Sequence, residues 1–295
     1  MKKFVILIPI YNDWKSVFKL LENIDSQITE WDAEVSVLIV NDASTEERPK
    51  TELSFKKIKS VRVVNMKQNR GHARCNAAGL KYIAEKENFD YVILMDGDGE
   101  DRPEELTLLF NKSKENPSTT VTLNRIQRSE GFFFKLLYEC HKILTFVFTG
   151  KFIKFGNYSC LPKEDVTRLA KEACIWSSFS GSVMKVISNR VSVPSIRGKR
   201  YFGPTQMNFF KLLVHSFSII AVFKGSVMVR SILLLFFYLF FVSSNLSIIT
   251  LFPVIAVLIF LFLIFKISFR ENIEALNNSL KNIDSIDVLS NLNNR

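Results

Sequence analysis

The sequence predicts an α/β domain with a Rossmann-like, mixed but mostly parallel sheet over residues 1–222. It also predicts a two-helix transmembrane hairpin over 223–269 and a polar tail over 270–295. Three observations lead there. Short apolar runs alternate with helical patterns from residue 4 onward, as in a sheet covered by helices on both faces. Several of those runs end abruptly in Asp, Asn or Arg, the residues that line the crevice at the carboxyl ends of strands in open α/β sheets. Residues 231–265 contain no charged side chain at all.

In chain order, residues 4–8 form a first strand closed by Pro9, and Asp13 is placed to cap a helix running to about Ser26. Residues 35–40 form a second strand that ends at Asn41-Asp42-Ala43-Ser44. A third covers 61–65, followed by Asn69-Arg70-Gly71 and a helix from His72 to about Lys86. Residues 91–95, Tyr-Val-Ile-Leu-Met, are too few for a helix and read as a core strand running into Asp96-Gly97-Asp98-Gly99-Glu100. Pro103 opens a helix to about Glu115, and a strand follows over 119–123.

Asp96 and Asp98 share a side if the strand conformation persists, because side chains alternate with period two. Two or three hard oxygen ligands, completed by phosphates and water, are how Mg²⁺ or Mn²⁺ holds a nucleotide. The competing reading is a solvated acidic turn, since Asp and Gly both favour turns.

As one helix, residues 231–265 would extend about 52 Å, well beyond the ~30 Å of a hydrocarbon core. A hairpin fits better, with spans near 228–243 and 246–266 and a turn at Ser243-Ser244-Asn245. Lys224 and Arg230 precede it and Lys266 and Arg270 follow it, so both ends are expected in the cytoplasm. The expectation is a multi-pass protein of the cytoplasmic (inner) membrane, with the N-terminal domain and the C-terminus inside. Residues 4–10 are apolar but too short for a signal peptide. Residues 131–150 and 205–223 are apolar yet carry charge, which suits helices lying at the bilayer surface. The residues after 269 read as a short polar helix or a frayed tail.

Cys75, Cys140, Cys160 and Cys174 lack metal or redox spacing and read as reduced thiols. The net charge of +10 raises nucleic acid as a partner. The cations form no aromatic-interleaved stripe, and many lie on the approach to the hairpin, so anionic lipid is the nearer partner and nucleic acid is not expected.

Pro9-Ile-Tyr11-Asn-Asp13, Val40-Asn-Asp42-Ala-Ser44, Asn69-Arg70-Gly71 with Asn76 and Gly79, and Asp96-Gly97-Asp98-Gly-Glu100-Asp-Arg-Pro103-Glu104 occur in that order. Together they resemble the inverting family 2 glycosyltransferases of GT-A fold, over about the first 220 residues. Pro103-Glu104, then Arg125 and Arg128, then Arg200-Tyr-Phe-Gly203-Pro-Thr205 ahead of a hairpin, are similar to the polyisoprenyl-phosphate branch of that family. That branch includes dolichol-phosphate mannose synthase and undecaprenyl-phosphate sugar transferases.

The resemblance implies that Pro9, Tyr11 and Asp13 line a nucleotide-sugar site with Asn69, Arg70, Asp96 and Gly97, and that Asp42 contacts the base. It implies that Asp96, Asp98 and Glu100 surround Mg²⁺ or Mn²⁺ and the diphosphate. Arg125, Arg128 and Arg200 would face the acceptor phosphate or the leaving diphosphate. The implied reaction moves a sugar from a UDP or GDP donor to a polyprenyl phosphate such as undecaprenyl phosphate, with inversion. Two segments depart from the pattern. Asn157 stands where relatives often have Asp, and Thr205-Gln206 where they have Ser-Lys. A phosphate acceptor is already largely ionised at neutral pH and tolerates loss of a base at 157 better than an alcohol does. Transfer to a hydroxyl of a lipid-linked glycan, and a catalytically silent membrane scaffold, are the alternatives. His72 and His141 are expected to be structural, and interfacial helices leave room for homo-oligomers.

Overall fold

The computed structural model describes residues 1–50, 53–127, 132–204 and 208–291. The chain opens with β1 (Lys2–Ile10), α1 (Trp14–Gln27), β2 (Ala33–Asn41), β3 (Ile58–Met66), α2 (His72–Lys86) and β4 (Tyr91–Leu94). It continues with α3 (Leu106–Glu115), β5 (Thr120–Gln127), α4 (Phe132–Thr149), β6 (Phe155–Pro162), α5 (Lys163–Leu169), α6 (Phe179–Val186) and β7 (Arg190–Ile196). Four helices, α7 (Phe209–Ala221), α8 (Lys224–Val242), α9 (Ile248–Ser268) and α10 (Ile273–Asn277), lead to a last strand, β8 (Ile283–Asn291).

The strands form one eight-stranded sheet in the order β7-β5-β6-β4-β1-β2-β3-β8. β4, β1, β2 and β3 run parallel, β7 runs parallel to β5, and β6 and β8 pair antiparallel with their neighbours. The strand period of two sorts the core into two layers. Phe4, Ile6 and Ile8 of β1 face α1 and α3, with Trp31 stacked on Phe110 at 4.2 Å between ring centres. Val5 and Leu7 face the opposite layer, with Leu80 and Ile83 of α2 and Val166 of α5. Because β1, β2 and β4 are parallel neighbours, their carboxyl ends lie side by side. Asp13, Asp42 and Asp96 therefore come to one edge of the sheet although they are far apart in sequence.

α8 and α9 are joined by a single turn of 3₁₀ helix at Ser243–Asn245. Ser247 and Thr250 form a reciprocal capping box that starts α9, satisfying N–H groups that have no helical partner. Both helices are long and apolar enough to cross a membrane, with mean hydropathies of 2.1 and 3.2 in their most apolar windows. Nearly all of their surface lies outside the protein core. The buried exceptions are Val227, Ser231, Ile264 and Ser268, of which Val227 and Ile264 pack with Phe148 of α4 and Ile220 of α7 and so tie the hairpin to both flanking helices.

One expectation is corrected. The residues after 269 are not a helix or frayed tail alone: the short α10 is followed by β8, which zips antiparallel along β3 from Ile283 opposite Met66 to Asn291 opposite Ser60. An uncovered β3 would present a row of unpaired backbone groups, and β8 satisfies that row. Ile283, Ile286, Val288 and Leu289 supply strand-forming side chains among the polar ones.

Candidate active site

The acidic turn after β4 organises the site. Gly97 sits so close to β1 that a Cβ there would lie 3.0 Å from Cγ2 of Ile10 and 3.1 Å from Cγ2 of Ile8. Gly99 adopts φ +89°, a left-handed conformation that favours glycine, beneath the ring of Tyr201. These two glycines let the chain fold back so that Asp101 reaches the Asp96 N–H at 2.9 Å and Asp98 lies within electrostatic reach of Asp96.

Asp96 Oδ1 accepts a hydrogen bond from Asn157 Nδ2 at 3.0 Å and lies 3.3 Å from His72 Nε2. Asn157 Nδ2 is itself 2.7 Å from His72 Nε2. Asp101, 2% exposed, accepts from the Asp96 backbone N–H at 2.9 Å and from Arg125 at 3.0 Å. Asp98 accepts from the Glu100 N–H at 2.9 Å and from Arg200 Nη1 at 2.9 Å. The same guanidinium pairs with Asp13. Asp13 stands at the N-cap position of α1, yet its side chain makes no cap hydrogen bond, because the carboxylate is turned to Arg200 instead.

Burial, followed by the charge of Asp96, pushes the Asp98 carboxyl up to about 6, against the pull of the Glu100 N–H and Arg200. Burial and Asp96 likewise push Asp101 up to about 7, despite Arg125. Burial would raise Asp96 as well, but His72 and Arg125 outweigh it and hold Asp96 well below the usual carboxylate range. For His72, burial opposes the charged form and Asp96, Asp101 and Asp98 overcome it, so its pKa is raised. The cluster is thus short of positive charge. Asp96 and Asp98 supply hard oxygen donors, a set that fits a divalent cation. Glu100 is committed elsewhere, to an ion pair with Arg197. Among the described residues, no three His, Cys, Asp or Glu side chains stand together as a metal-binding group.

The remaining sequence candidates fall into two places. Asp42 is buried at the end of β2 and accepts from the backbone N–H of Arg70 at 2.9 Å and of Gly71 at 2.8 Å, fixing the loop that begins α2. Next to it, Ala43 holds φ +56°, an uncommon conformation for a residue with a Cβ and one that concentrates at functional sites. Pro9 is buried, whereas Tyr11, Asn69 and Arg70 are exposed on the rim. Arg128, Thr205 and Gln206 lie outside the described residues. Among the four thiols, Cys75, Cys160 and Cys174 are buried and Cys140 is exposed, all unpaired as disulfides.

His72, expected to be structural, opens α2 behind Asn69-Arg70-Gly71 and stands 3.3 Å from Asp96. Asp101, Arg197 and Tyr201, none of them among the candidates read from the sequence, also border the turn. Residues 197–202 form a strap over the acidic turn: Gly198 N–H donates to Glu100 O at 2.8 Å and Tyr201 N–H to Asp98 O at 2.9 Å. Tyr201 Oη accepts from Asn23 at 2.8 Å, which locks the strap to α1. The Arg197 and Arg200 spacing, with Tyr following, marks this strap in the sequence.

A sheet of this order, with a carboxylate-bearing turn at the carboxyl ends of its parallel strands, is of the GT-A type. Residues 5–172 match the model of glycosyl transferase family 2, more than half of the chain, and the protein belongs to that family. Two curated relatives are undecaprenyl-phosphate 4-deoxy-4-formamido-L-arabinose transferases of Klebsiella pneumoniae, from strain 342 and from strain ATCC 700721 / MGH 78578. Each is 24% identical over 220 residues, covering 72% of this chain and 65% of its own length, so the match spans somewhat under two thirds of those relatives. Among solved structures, glucosyl-3-phosphoglycerate synthase from Mycobacterium tuberculosis, in complex with Mn²⁺, UDP-glucose and phosphoglyceric acid, superposes with TM-score 0.53 at 12% identity over 77% of this chain and 80% of its own. Mannosyl-3-phosphoglycerate synthase from Rubrobacter xylanophilus gives TM-score 0.51 at 12% identity over 75% and 72%. At such identity these two speak for the fold.

Proposed function

We propose that the protein is a membrane-anchored inverting glycosyltransferase that moves a sugar from a UDP or GDP donor to a polyprenyl phosphate such as undecaprenyl phosphate. The observation that carries this reading is the convergence of Asp13, Asp96 and Asp98 with Arg125 and Arg200 at the carboxyl ends of β1 and β4. The family membership and the arabinose-derivative transferases among its relatives support the same class of acceptor.

A sugar nucleotide reacts by loss of a nucleoside diphosphate, so the site must stabilise charge accumulating on that leaving group. Asp96 and Asp98 would hold Mg²⁺ or Mn²⁺, which when bound acts as a Lewis acid on the diphosphate; the Mn²⁺ complex of the mycobacterial synthase supports a divalent ion. Arg200, pivoting from Asp98 and Asp13, would add its charge to the phosphates. Asp42, held by the Arg70 and Gly71 N–H groups, would wall the base pocket with Tyr11 and Asn69. Asn157 and His72 position Asp96 through the hydrogen bonds described above.

The acceptor side supports a lipid phosphate. Residue 157 is an amide already engaged with Asp96 and His72, which suits a nucleophile that arrives ionised. A polyprenyl tail leaves the bilayer only at a cost of about 0.8 kcal/mol per CH₂, so the catalytic domain must be held at the membrane surface. α8 and α9 would anchor it from the cytoplasmic side of the inner membrane, with α4 and α7 lying at the interface. The anchored form leaves homo-oligomers open.

The test is transfer of radiolabelled sugar from a panel of UDP- and GDP-sugars to undecaprenyl phosphate by the full-length protein in detergent with Mg²⁺ or Mn²⁺. A lipid product cleaved by mild acid, and lost in Asp98→Ala, is the expected result. An acid-stable glycoside on a lipid-linked glycan would replace this acceptor with a hydroxyl. No product with any donor or acceptor from folded protein would leave the silent scaffold.

A further inference from the structure

Where the second long apolar helix meets the soluble domain there is a cavity of about 460 Å³, separate from the acidic turn. Its walls come from the loop before α2, from α2 itself, from the turn ahead of α6 and from the segment that follows α9, and they include Arg70, Arg74, Trp176, Phe269 and Arg270. Three guanidinium groups thus share one small volume. None of the three forms an ion pair among the described residues, and no carboxylate lines the cavity.

The nearby acids are partly engaged. Asp42 accepts from the Arg70 and Gly71 N–H groups, and Glu271 pairs with Lys224 at 3.2 Å through one oxygen, its Oε1 being buried without a partner. The polar contacts of the arginines within the fold are thin. Arg74 Nη1 donates to Arg70 O at 3.0 Å, Arg70 reaches Gln68 at 3.5 Å, and the buried Nε of Arg270 has no partner. Burial, then Arg270 and Arg70, lowers the pKa of Arg74, and Asp42 opposes them without reversing the direction. Gathering three cations this way is unfavourable unless an anion joins them, and guanidinium groups match phosphate oxygens with paired N–H donors.

The setting identifies the source of that anion. Phe269, 80% exposed, is the residue after α9, and Arg270 follows it directly. A cation at the end of an apolar span lies at the headgroup level of a bilayer, where lipid phosphates are within its reach. We infer that Arg74 and Arg270, with Arg70 at the edge shared with the proposed nucleotide pocket, form a site for the phosphate of an anionic membrane lipid, outside the acidic turn. Occupancy would brace the 67–71 loop, whose backbone holds Asp42. This inference rests on reading α9 as a membrane span and is independent of which acceptor the enzyme uses.

The experiment is native mass spectrometry of the full-length protein released from nanodiscs of phosphatidylglycerol and phosphatidylcholine, counting retained phosphatidylglycerol. Arg74→Gln and Arg270→Gln are each expected to retain the lipid about fivefold less, from the usual contribution of one cation near an anionic surface. Arg74→Lys is expected to recover part of the loss, and Lys112→Gln, a half-buried lysine of α3 paired with Glu115, to retain it as the wild type does. Circular dichroism confirms that each variant is folded. Equal retention by wild type and by both glutamine variants would overturn the site. So would an equal loss in Lys112→Gln, or displacement of the lipid by millimolar inorganic phosphate with no preference for lipid. Recovery of the wild type in the soluble fraction without detergent would overturn the anchor, and the site with it.

Discussion

Arg200 Nη1 donates to Asp98 at 2.9 Å, and through the same guanidinium Arg200 reaches Asp13, joining the end of β1 to the turn after β4. The side chain of Arg200 is 17% exposed and lies between two carboxylates that belong to the proposed donor site. Arg200→Ala is expected to lower kcat/KM for the sugar nucleotide by roughly 10²-fold, the scale of removing one charge-stabilising donor from a developing anion. Arg200→Lys should recover only a small part, since an ammonium lacks the planar fork that spans two carboxylates. Steady-state kinetics of both variants decide this; unchanged kcat/KM would assign Arg200 to the ligand-free fold alone.

Removal of divalent metal by a chelator is expected to abolish transfer, and Mn²⁺ or Mg²⁺ to restore it. Asp98→Asn keeps the shape of the turn but removes a charged oxygen donor. It should weaken Mn²⁺ binding, read directly by electron paramagnetic resonance, as well as lower activity. Metal binding equal to wild type would move the cation away from Asp98.

Arg125 and Asp101 form a buried pair, 18% and 2% exposed at the side chain. Arg125→Met is expected to cost about 3 kcal/mol of stability in alkaline buffer, because Asp101 must then either stay buried as an unpaired carboxylate or take up a proton. Part of the loss should be recovered in the Arg125→Met, Asp101→Asn double variant, a coupling that denaturant unfolding of a set of four proteins measures. Additive losses would show that the two side chains act separately.

The Arg48–Asp287 ion pair, at 2.7 Å, fastens β8 to the loop beyond β2. The hydrogen bond from Arg48 lowers the Asp287 pKa, burial opposes this, and Asn65 adds to the lowering. A carboxyl depressed in the folded state stabilises it above the unfolded pKa of 3.8, and that contribution is lost as pH falls through the folded value. The wild type should therefore melt above Asp287→Asn at pH 7, and the gap should close below pH ~3.8. A gap that persists at pH 2 would mean that shape rather than charge holds the strand.

Gly97→Ala is expected to destabilise the fold by about 1–3 kcal/mol, the usual cost of overpacking, because its methyl would press on Ile8 and Ile10. Gly99→Ala adds a strained φ of +89° and a clash with the Tyr201 ring. It should loosen the strap, visible as faster hydrogen exchange across 197–202 with smaller change elsewhere.

Much of the architecture was legible because it is written locally. The alternation of apolar strand and amphipathic helix, the uncharged stretch at 231–265, and the Asp-Gly-Asp turn after a short core strand are all properties of neighbours in sequence. Strand period, span length and the left-handed preference of glycine act over a few residues, so they can be read without a fold. Tertiary structure alone decided what depends on distant partners. It turned Asp13 from a helix cap into a partner of Arg200, brought His72 to Asp96, and sent Glu100 to Arg197. It also returned residues 283–291 across the hairpin to finish the sheet beside β3. A carboxylate's partner and an edge strand's neighbour are chosen by which surfaces the packed sheet brings within hydrogen-bonding distance, and no short window of sequence contains that choice.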